Sequence, residues 1–189
     1  ARQVANKILV VDSGSTDKTI KLAEENGARV VYRAWDNDFA AQRNFALKHV
    51  DTEWVLYLDA DERFDTKLID NIKHAERGDR DKQYYICREV YVFGFKCRHE
   101  ILRNDEVIRM FPRKSVVWKE KVHEHPVCNL KKVRLKGKLI HYTYNDLQHW
   151  VDKMGQYTTI WAENSYSKGI RTNASEAFIH AFYGFFRAY

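Results

Sequence analysis

The chain has 189 residues, the size of one domain with at most a short addition. Hydrophobic residues make up 44% of it and there are only 2 Pro and 8 Gly, which excludes wholesale disorder, collagen and long flexible linkers. With 32 Lys and Arg against 26 Asp and Glu, the net charge is +6, which is compatible with a small anionic ligand, a membrane surface or nucleic acid.

The cysteines and the apolar segments bear on the cellular setting. Cys87, Cys97 and Cys128 form no CxxC pair, so we expect reduced thiols rather than a disulfide framework or a zinc knuckle. No run of about 18 apolar residues is present. Residues 1–7 also lack the apolar core of a signal peptide. These features predict a cytoplasmic protein without a spanning helix.

The first half of the chain alternates between strand and helix patterns with short connections. This alternation is typical of a parallel sheet covered by helices. The strands are predicted at residues 8–11, 29–32 and 54–58, and the helices at residues 19–26, 39–49 and 66–76.

The second half changes to strand patterns that no long helix separates, which predicts an antiparallel addition to the sheet. A helical pattern then occupies the C-terminal part. We therefore predict an α/β domain over residues 1–145 and a C-terminal helical extension over residues 146–189. The strand-like segments of this half are residues 84–95, 106–111 and 133–142.

Carboxylates follow two of the predicted parallel strands, at the sheet edge where open α/β sheets bind ligands. These are Asp12, and Asp59 with Asp61. In extended chain Asp59 and Asp61 point to the same side, and oxygen ligands of this kind suit Mg²⁺ or Mn²⁺ with substrate phosphates. The alternative is that these residues are ordinary polar caps after a strand.

Residues 11–17 read as a strand end, a glycine turn and a helix start, where exposed N–H groups favour anions. Gly14 stands alone, so the segment is neither a Walker A loop nor a GxGxxG fingerprint. Ordinary helix capping by Ser15 or Thr16 is the alternative interpretation.

The combination of these motifs resembles the family-2 glycosyltransferases of GT-A fold. The residues that carry the resemblance are 8–17, 41–44 and 58–62. His123-Glu124 after Trp118, together with residues 139–144, looks like the bacterial branch that adds a β-linked sugar to the inner core of lipopolysaccharide. The resemblance covers roughly residues 8 to 165.

This resemblance implies a mostly parallel, Rossmann-like sheet with antiparallel strands on the acceptor side and C-terminal helices. It implies an inverting, metal-dependent transfer of a hexose, with glucose as the expected sugar. The donor would be a UDP-sugar, the cofactor Mg²⁺ or Mn²⁺, and the acceptor a lipopolysaccharide core or another saccharide or glycolipid, joined in β-linkage. The enzyme would work peripherally at the inner face of the cytoplasmic membrane.

The resemblance also assigns roles on the donor side. Asp12 would contact the uracil or ribose, and Asp17 would be a second contact. Gln42 and Arg43 would lie beside the donor. Asp59 would face the ribose and the metal.

On the metal and acceptor sides, Asp61 would ligate the metal and Glu124 occupies the position of the catalytic carboxylate. On a strand, His123 and His125 would share the face opposite to Glu124, and His123 would orient Glu124 or contact the diphosphate. His141 is a further candidate metal ligand. Glu124 as a paired surface carboxylate and His141 as a satisfied core histidine are the alternatives.

Family members normally begin with an additional strand and loop ahead of the Asp12 strand, and the sequence shows no such segment. That segment supplies part of the family's nucleotide pocket. Either this chain is a piece of a longer protein or its fold has lost this element. Weakened nucleotide affinity of this chain, and with it a catalytically silent homologue, is therefore one alternative.

The C-terminal segment carries an aromatic stripe at helical spacing. A stripe of this kind is a core or subunit contact, so an oligomer through this helix is one expectation. The other is a helix lying in a membrane interface, which a lipid acceptor favours. The stripe consists of Phe178, Phe182, Phe185, Phe186 and Tyr189.

Two further classes compete with sugar transfer. A nucleotidyltransferase that makes nucleotide sugars shares the nucleotide-binding half but usually carries a glycine-rich basic loop on its first strand. A nucleic-acid-binding module is suggested by the positive charge and the 10 Phe, 11 Tyr and 5 Trp. No RNP, KH or helix-turn-helix pattern is present, so we expect no nucleic-acid partner.

Overall fold

A computed structural model describes residues 1–97, 105–121 and 123–188. Its strands are β1 (Leu9–Asp12), β2 (Arg29–Tyr32), β3 (Trp54–Leu56), β4 (Glu62–Phe64), β5 (Lys82–Val92), β6 (Phe95–Lys96), β7 (Asp105–Pro112), β8 (Val117–Lys119), β9 (His125–Val127) and β10 (Lys131–Tyr144). Its helices are α1 (Thr19–Glu25), α2 (Phe39–Lys48), α3 (Thr66–Glu76), α4 (Leu147–Ser167) and α5 (Ala174–Ala188), with a 3₁₀ turn at Arg113–Ser115.

Each strand and helix predicted in the first half is present within about two residues of its expected bounds, the usual uncertainty of element ends. The three-residue strands β4 and β8 were not predicted, because so short a run carries no periodicity. The C-terminal helical region is divided into α4 and α5 around Gly169, whose φ is +78°. A positive φ ends a helix and is tolerated best by glycine.

The strands form a parallel pair and a larger mixed sheet. β1 and β2 pair in parallel, with Asp12 opposite Tyr32. The six-stranded sheet has the order β3-β7-β5-β10-β4, with β6 on β5. In it β5 and β10 are parallel and the other pairs are antiparallel. The antiparallel additions were expected of the second half, whereas the parallel pairing of β5 with β10 was not, and this sheet is mostly antiparallel rather than mostly parallel. Over the described ranges no ladder joins β3 to β1 or β2, so the parallel pairing expected of β3 is replaced by its antiparallel pairing with β7.

The main core lies between α3 and the larger sheet. Leu68 and Ile72 of α3 pack against Ile86 of β5 and Leu139 of β10, and all four are buried. Gly137 allows the close approach, since its φ is +109° and a Cβ there would lie 2.3 Å from the Leu68 backbone nitrogen. Burial of these apolar side chains fixes β10 beneath α3.

A second core cluster holds α2 against β7 and β8. Ala40, Phe111 and Trp118 are buried in it. Asp38 caps α2 by accepting a hydrogen bond from the Ala41 backbone nitrogen at 2.7 Å. The Asn44 side chain donates to the Trp118 carbonyl and accepts from the Trp118 nitrogen, at 2.8 and 2.9 Å. These contacts fix the position of the helix residues next to Asn44.

Candidate functional site

The turn after β1 is organised by Asp12. Its buried carboxylate accepts hydrogen bonds from the backbone nitrogens of Gly14 and Ser15 at 2.8 and 3.0 Å, and from the Ser15 hydroxyl. The Ser15 hydroxyl and these two N–H groups lower the pKa of Asp12, so it is ionised at neutral pH. Asp17 is exposed and its carboxylate accepts from the Thr19 nitrogen within the same turn.

Two consecutive residues of α2 link this turn to the end of β3. Gln42 donates to the Ser13 hydroxyl at 2.9 Å and accepts from Arg33 at 2.8 Å. Arg43 reaches the carboxylate of Asp59, at 2.9 and 3.2 Å from its two oxygens. The structure therefore brings the turn of Asp12, Gln42, Arg43 and Asp59 together, whereas the hydrogen bond of Asp17 lies within its own turn.

Arg43 also contacts Glu124, so one guanidinium joins two of the predicted carboxylates. Its Nε donates to Glu124 Oε1 at 3.0 Å, and its Nη2 lies 2.9 Å from the same oxygen. The guanidinium carbon lies 4.6 Å from the centroid of the Trp118 ring, within cation–π range. A rigid, planar cation with several donors suits this bridging position.

A second arginine lies behind Asp59. Because β7 pairs antiparallel with β3 and Tyr57 donates its N–H to the Arg109 carbonyl at 2.9 Å, Arg109 is placed beside the end of β3. Its Nη2 donates to Asp59 at 2.7 Å and to the fully buried Glu62 at 2.5 Å. Burial acts to raise the pKa of Asp59, but the charges of Arg109 and Arg43 outweigh it and hold the pKa below its usual value.

Asp61 is held by different partners. Its Oδ2 lies 3.3 Å from His141 Nε2 and 3.6 Å from Lys153 Nζ. The pairing of β4 with β10 places Asp61 beside His141, since Tyr142 donates its N–H to the Asp61 carbonyl at 2.9 Å. Burial acts to raise the pKa of Asp61, but the hydrogen bond and charge of His141, with the charge of Lys153, lower it overall.

The described residues contain no group of three or more His, Cys, Asp and Glu side chains arranged to hold a metal ion. Asp61 and His141 provide one oxygen and one nitrogen donor on the same side, and the buried Nδ1 of His141 has no hydrogen-bond partner. Mg²⁺ or Mn²⁺ prefers oxygen ligands and is often held by one or two carboxylates plus substrate phosphates, so Asp61 fits such an ion, whereas the imidazole of His141 is a ligand more usual for Zn²⁺ or Ni²⁺. Both oxygens of Asp59 accept from arginines, so Asp59 is the less available of the two predicted carboxylate ligands.

The strand prediction around Glu124 is wrong at its start. The strand β9 begins at His125, and His123 has a φ of +58°, which a strand residue does not adopt. The residues on either side of Glu124 therefore do not share one strand face. In the described structure the Glu124 carboxylate contacts Arg43, and the exposed His123 makes no hydrogen bond or ion pair with it, so a role of His123 in orienting Glu124 stays a prediction.

Two site residues come from α4 and were not predicted from the sequence. Lys153 contacts Asp61, and Tyr157 packs its ring 5.8 Å from that of Phe39. Burial raises the pKa of Tyr157, and the negative charges around it, including Glu124 and Asp61, add to this effect. Both residues lie one helical turn apart on α4, a spacing that would have identified a shared face but not its partner.

The chain is similar to a known protein family and to several known proteins. The model described as Glycosyl transferase family 2 matches residues 4–134. An uncharacterized glycosyltransferase of Rickettsia felis is 26% identical over 209 aligned positions, and the alignment covers all of this chain and 71% of the relative. The lipopolysaccharide core biosynthesis glycosyltransferase LpsC of Rhizobium meliloti is 29% identical over 175 residues, covering 87% of this chain and 64% of LpsC.

Proposed function

The chain belongs to glycosyltransferase family 2, with the α/β arrangement of the GT-A fold, and from that membership we propose a specific reaction. It moves a hexose, with glucose as the expected sugar, from a UDP-sugar to a saccharide acceptor. The transfer inverts the anomeric centre and gives a β-linkage. A divalent cation supports the transfer.

One observation carries this proposal furthest. Arg43 bridges Asp59, at the end of β3, and Glu124, before β9, with hydrogen bonds of 2.9 to 3.2 Å. The predicted donor side and the predicted catalytic carboxylate are distant in sequence, yet they share this one side chain. A sugar bound near Asp59 would therefore have its anomeric carbon within reach of an acceptor held by Glu124.

The chemistry follows from this arrangement. Glu124 accepts the proton of the acceptor hydroxyl, the hydroxyl oxygen bonds to the anomeric carbon, and the bond from that carbon to the diphosphate oxygen breaks. Both Arg43 contacts are to Oε1 of Glu124, so the ion pair does not require Oε2. A metal held by Asp61 and His141 would stabilise negative charge on the departing diphosphate.

The proposed acceptor is a saccharide of the lipopolysaccharide core. The support is the name of the Rhizobium meliloti relative, whose likeness extends over most of this chain. Such a saccharide is attached to a lipid, so the proposed place of action is the inner face of the cytoplasmic membrane. In the described part of the chain, no helix is both long and apolar enough to cross a membrane.

The Asp61→Asn variant tests the donor and metal part of the proposal. We expect the wild-type chain to gain thermal stability with a UDP-sugar and Mn²⁺, more than with GDP- or CMP-sugars. Asp61→Asn is expected to lose the Mn²⁺-dependent part of that gain, because an amide oxygen is a weaker metal ligand than a carboxylate. Thermal-shift measurements with and without Mn²⁺ give the comparison.

Asp152→Asn is the matched control, since Asp152 is an exposed residue of α4 that accepts a hydrogen bond from Gln148. It is expected to behave as wild type. Retained Mn²⁺ dependence in Asp61→Asn would remove this residue from the metal site.

The exposed face of α5 extends the proposal to a membrane surface. Phe182 and Phe186 are 64% and 70% exposed, and Phe178 and Ile179 are similarly open. Tyr189, the last residue of the predicted stripe, lies outside the described residues. An amphipathic helix with aromatic side chains on its apolar face is suited to a lipid interface.

The double variant Phe182→Asp and Phe186→Asp is expected to lose most of its sedimentation with anionic liposomes, because two charges would enter the apolar interface. Phe95→Asp is the control, since Phe95 is 78% exposed but lies in the β5–β6 hairpin. Unchanged liposome association in the double variant, with a smaller particle by light scattering, would instead make α5 a subunit contact.

A further inference from the structure

Lys153 lies in the helix that follows the sheet, and its ammonium group contacts the acidic motif formed by Asp59 and Asp61. Its Nζ lies 3.6 Å from Asp61 Oδ2, donates to the Thr143 carbonyl at 3.3 Å, and lies 5.7 Å from the centroid of the Tyr144 ring. The side chain is half-buried, so these contacts restrict it. The position is built by β10 and α4 together.

Lys153 is the least committed of the three cations that contact the aspartates of this motif. Arg43 and Arg109 each contact two carboxylates within 3.2 Å. An ammonium has three N–H donors, and in the described structure only the one toward Thr143 has an acceptor within hydrogen-bond distance. Lys153 can therefore donate to a ligand without breaking a short ion pair.

We propose that Lys153 binds the diphosphate of the nucleotide-sugar donor directly. This inference rests on the proposed function and adds a substrate-binding residue from the C-terminal helical extension. A nucleoside diphosphate at this edge would face the carboxylates of Asp59, Asp61 and Glu124, so a cation beside Asp61 offsets their repulsion. The same ammonium stabilises the charge that the diphosphate gains when its bond to the sugar breaks.

The assignment changes the role of α4. Tyr157 lies one turn beyond Lys153 in the negative field of the same carboxylates, and its ring packs against Phe39 at the start of α2. Phe39 belongs to the helix that carries Gln42 and Arg43, so this contact places α4 next to predicted site residues. Residues 146–167 of the predicted extension thus complete the donor site rather than lying apart from it.

Binding of uridine, UMP and UDP to the metal-free protein tests the proposal. Measured by calorimetry in EDTA, Lys153→Met is expected to bind UDP about tenfold more weakly than wild type, the loss typical of a charge-assisted hydrogen bond, and uridine equally well. Lys153→Arg is expected to restore much of the UDP affinity. Lys168→Met is the control, since Lys168 ends the same helix and pairs with Glu120.

The Asp61→Asn background separates direct binding from neutralisation of Asp61. If Lys153 contacts the diphosphate, Lys153→Met weakens UDP binding in that background by a similar factor. If Lys153 acts only by neutralising Asp61, the effect disappears there, and that result overturns the proposal. Equal UDP binding by wild type and Lys153→Met overturns it as well. The same titrations are repeated with Mn²⁺, and a wild-type chain that binds UDP in neither condition contradicts the proposed function itself.

Discussion

Replacing Glu124 with Gln is expected to lower turnover by about 10²–10⁴-fold and to leave donor binding intact. The amide keeps the shape of the side chain and an oxygen that Arg43 can contact, but it cannot accept the proton of the acceptor hydroxyl. Single-turnover rates with a radiolabelled UDP-sugar, together with the dissociation constant for UDP, separate the two effects.

The control for this prediction is Glu120→Gln, since Glu120 is an exposed residue that pairs with Lys168 at 2.8 Å. It is expected to retain wild-type turnover. Full turnover in Glu124→Gln would place the base elsewhere and leave Glu124 as a structural partner of Arg43.

Replacing Arg109 with Met is expected to lower the free energy of unfolding by about 3–5 kcal/mol. Arg109 is 5% exposed and Glu62 is fully buried, so the substitution leaves an interior carboxylate without its hydrogen-bonded cation, and the remaining arginine, Arg88, lies 3.7 Å away. The methionine side chain fills similar volume, which limits the contribution of a cavity. Urea unfolding followed by circular dichroism gives the free energy.

Two further variants make this prediction specific. The double variant Arg109→Met with Glu62→Gln is expected to recover part of the loss, because no buried charge remains unpaired. Arg88→Met is expected to cost much less, since Arg88 pairs with the exposed Asp105 and lies 3.7 Å from Glu62. A loss below about 1 kcal/mol in Arg109→Met would show that the interior pair is not a main stabilising contact.

The local features of the fold were predictable from the sequence. Apolar runs and turn residues identified the first-half elements, and Asp12 marked the end of β1 as the structure has it, whereas β3 ends at Leu56, three residues before Asp59. These predictions depend on neighbours along the chain, where a strand run or a helix cap is visible in a few residues. The same reasoning did not give the pairing partner of β3, which is β7.

The partners of the site residues were not predictable, because they depend on strand register and helix packing. No feature of the sequence places Arg109 against Asp59, a contact set by the pairing of β7 with β3. The sequence likewise contains no signal that Lys153 of α4 lies beside Asp61. The acidic pair was expected to hold a metal together, whereas Asp59 contacts two arginines and Asp61 contacts His141 and Lys153.

The central claim is sugar transfer from a UDP-sugar at the site that Arg43, Asp59 and Glu124 form. The most direct test supplies the chain with UDP-glucose, Mn²⁺ and a deacylated lipopolysaccharide core, and then identifies the products by mass spectrometry. We expect free UDP and an acceptor heavier by one hexose, with neither formed by Glu124→Gln. Release of pyrophosphate with an unchanged acceptor would contradict the claim and indicate nucleotidyl transfer instead.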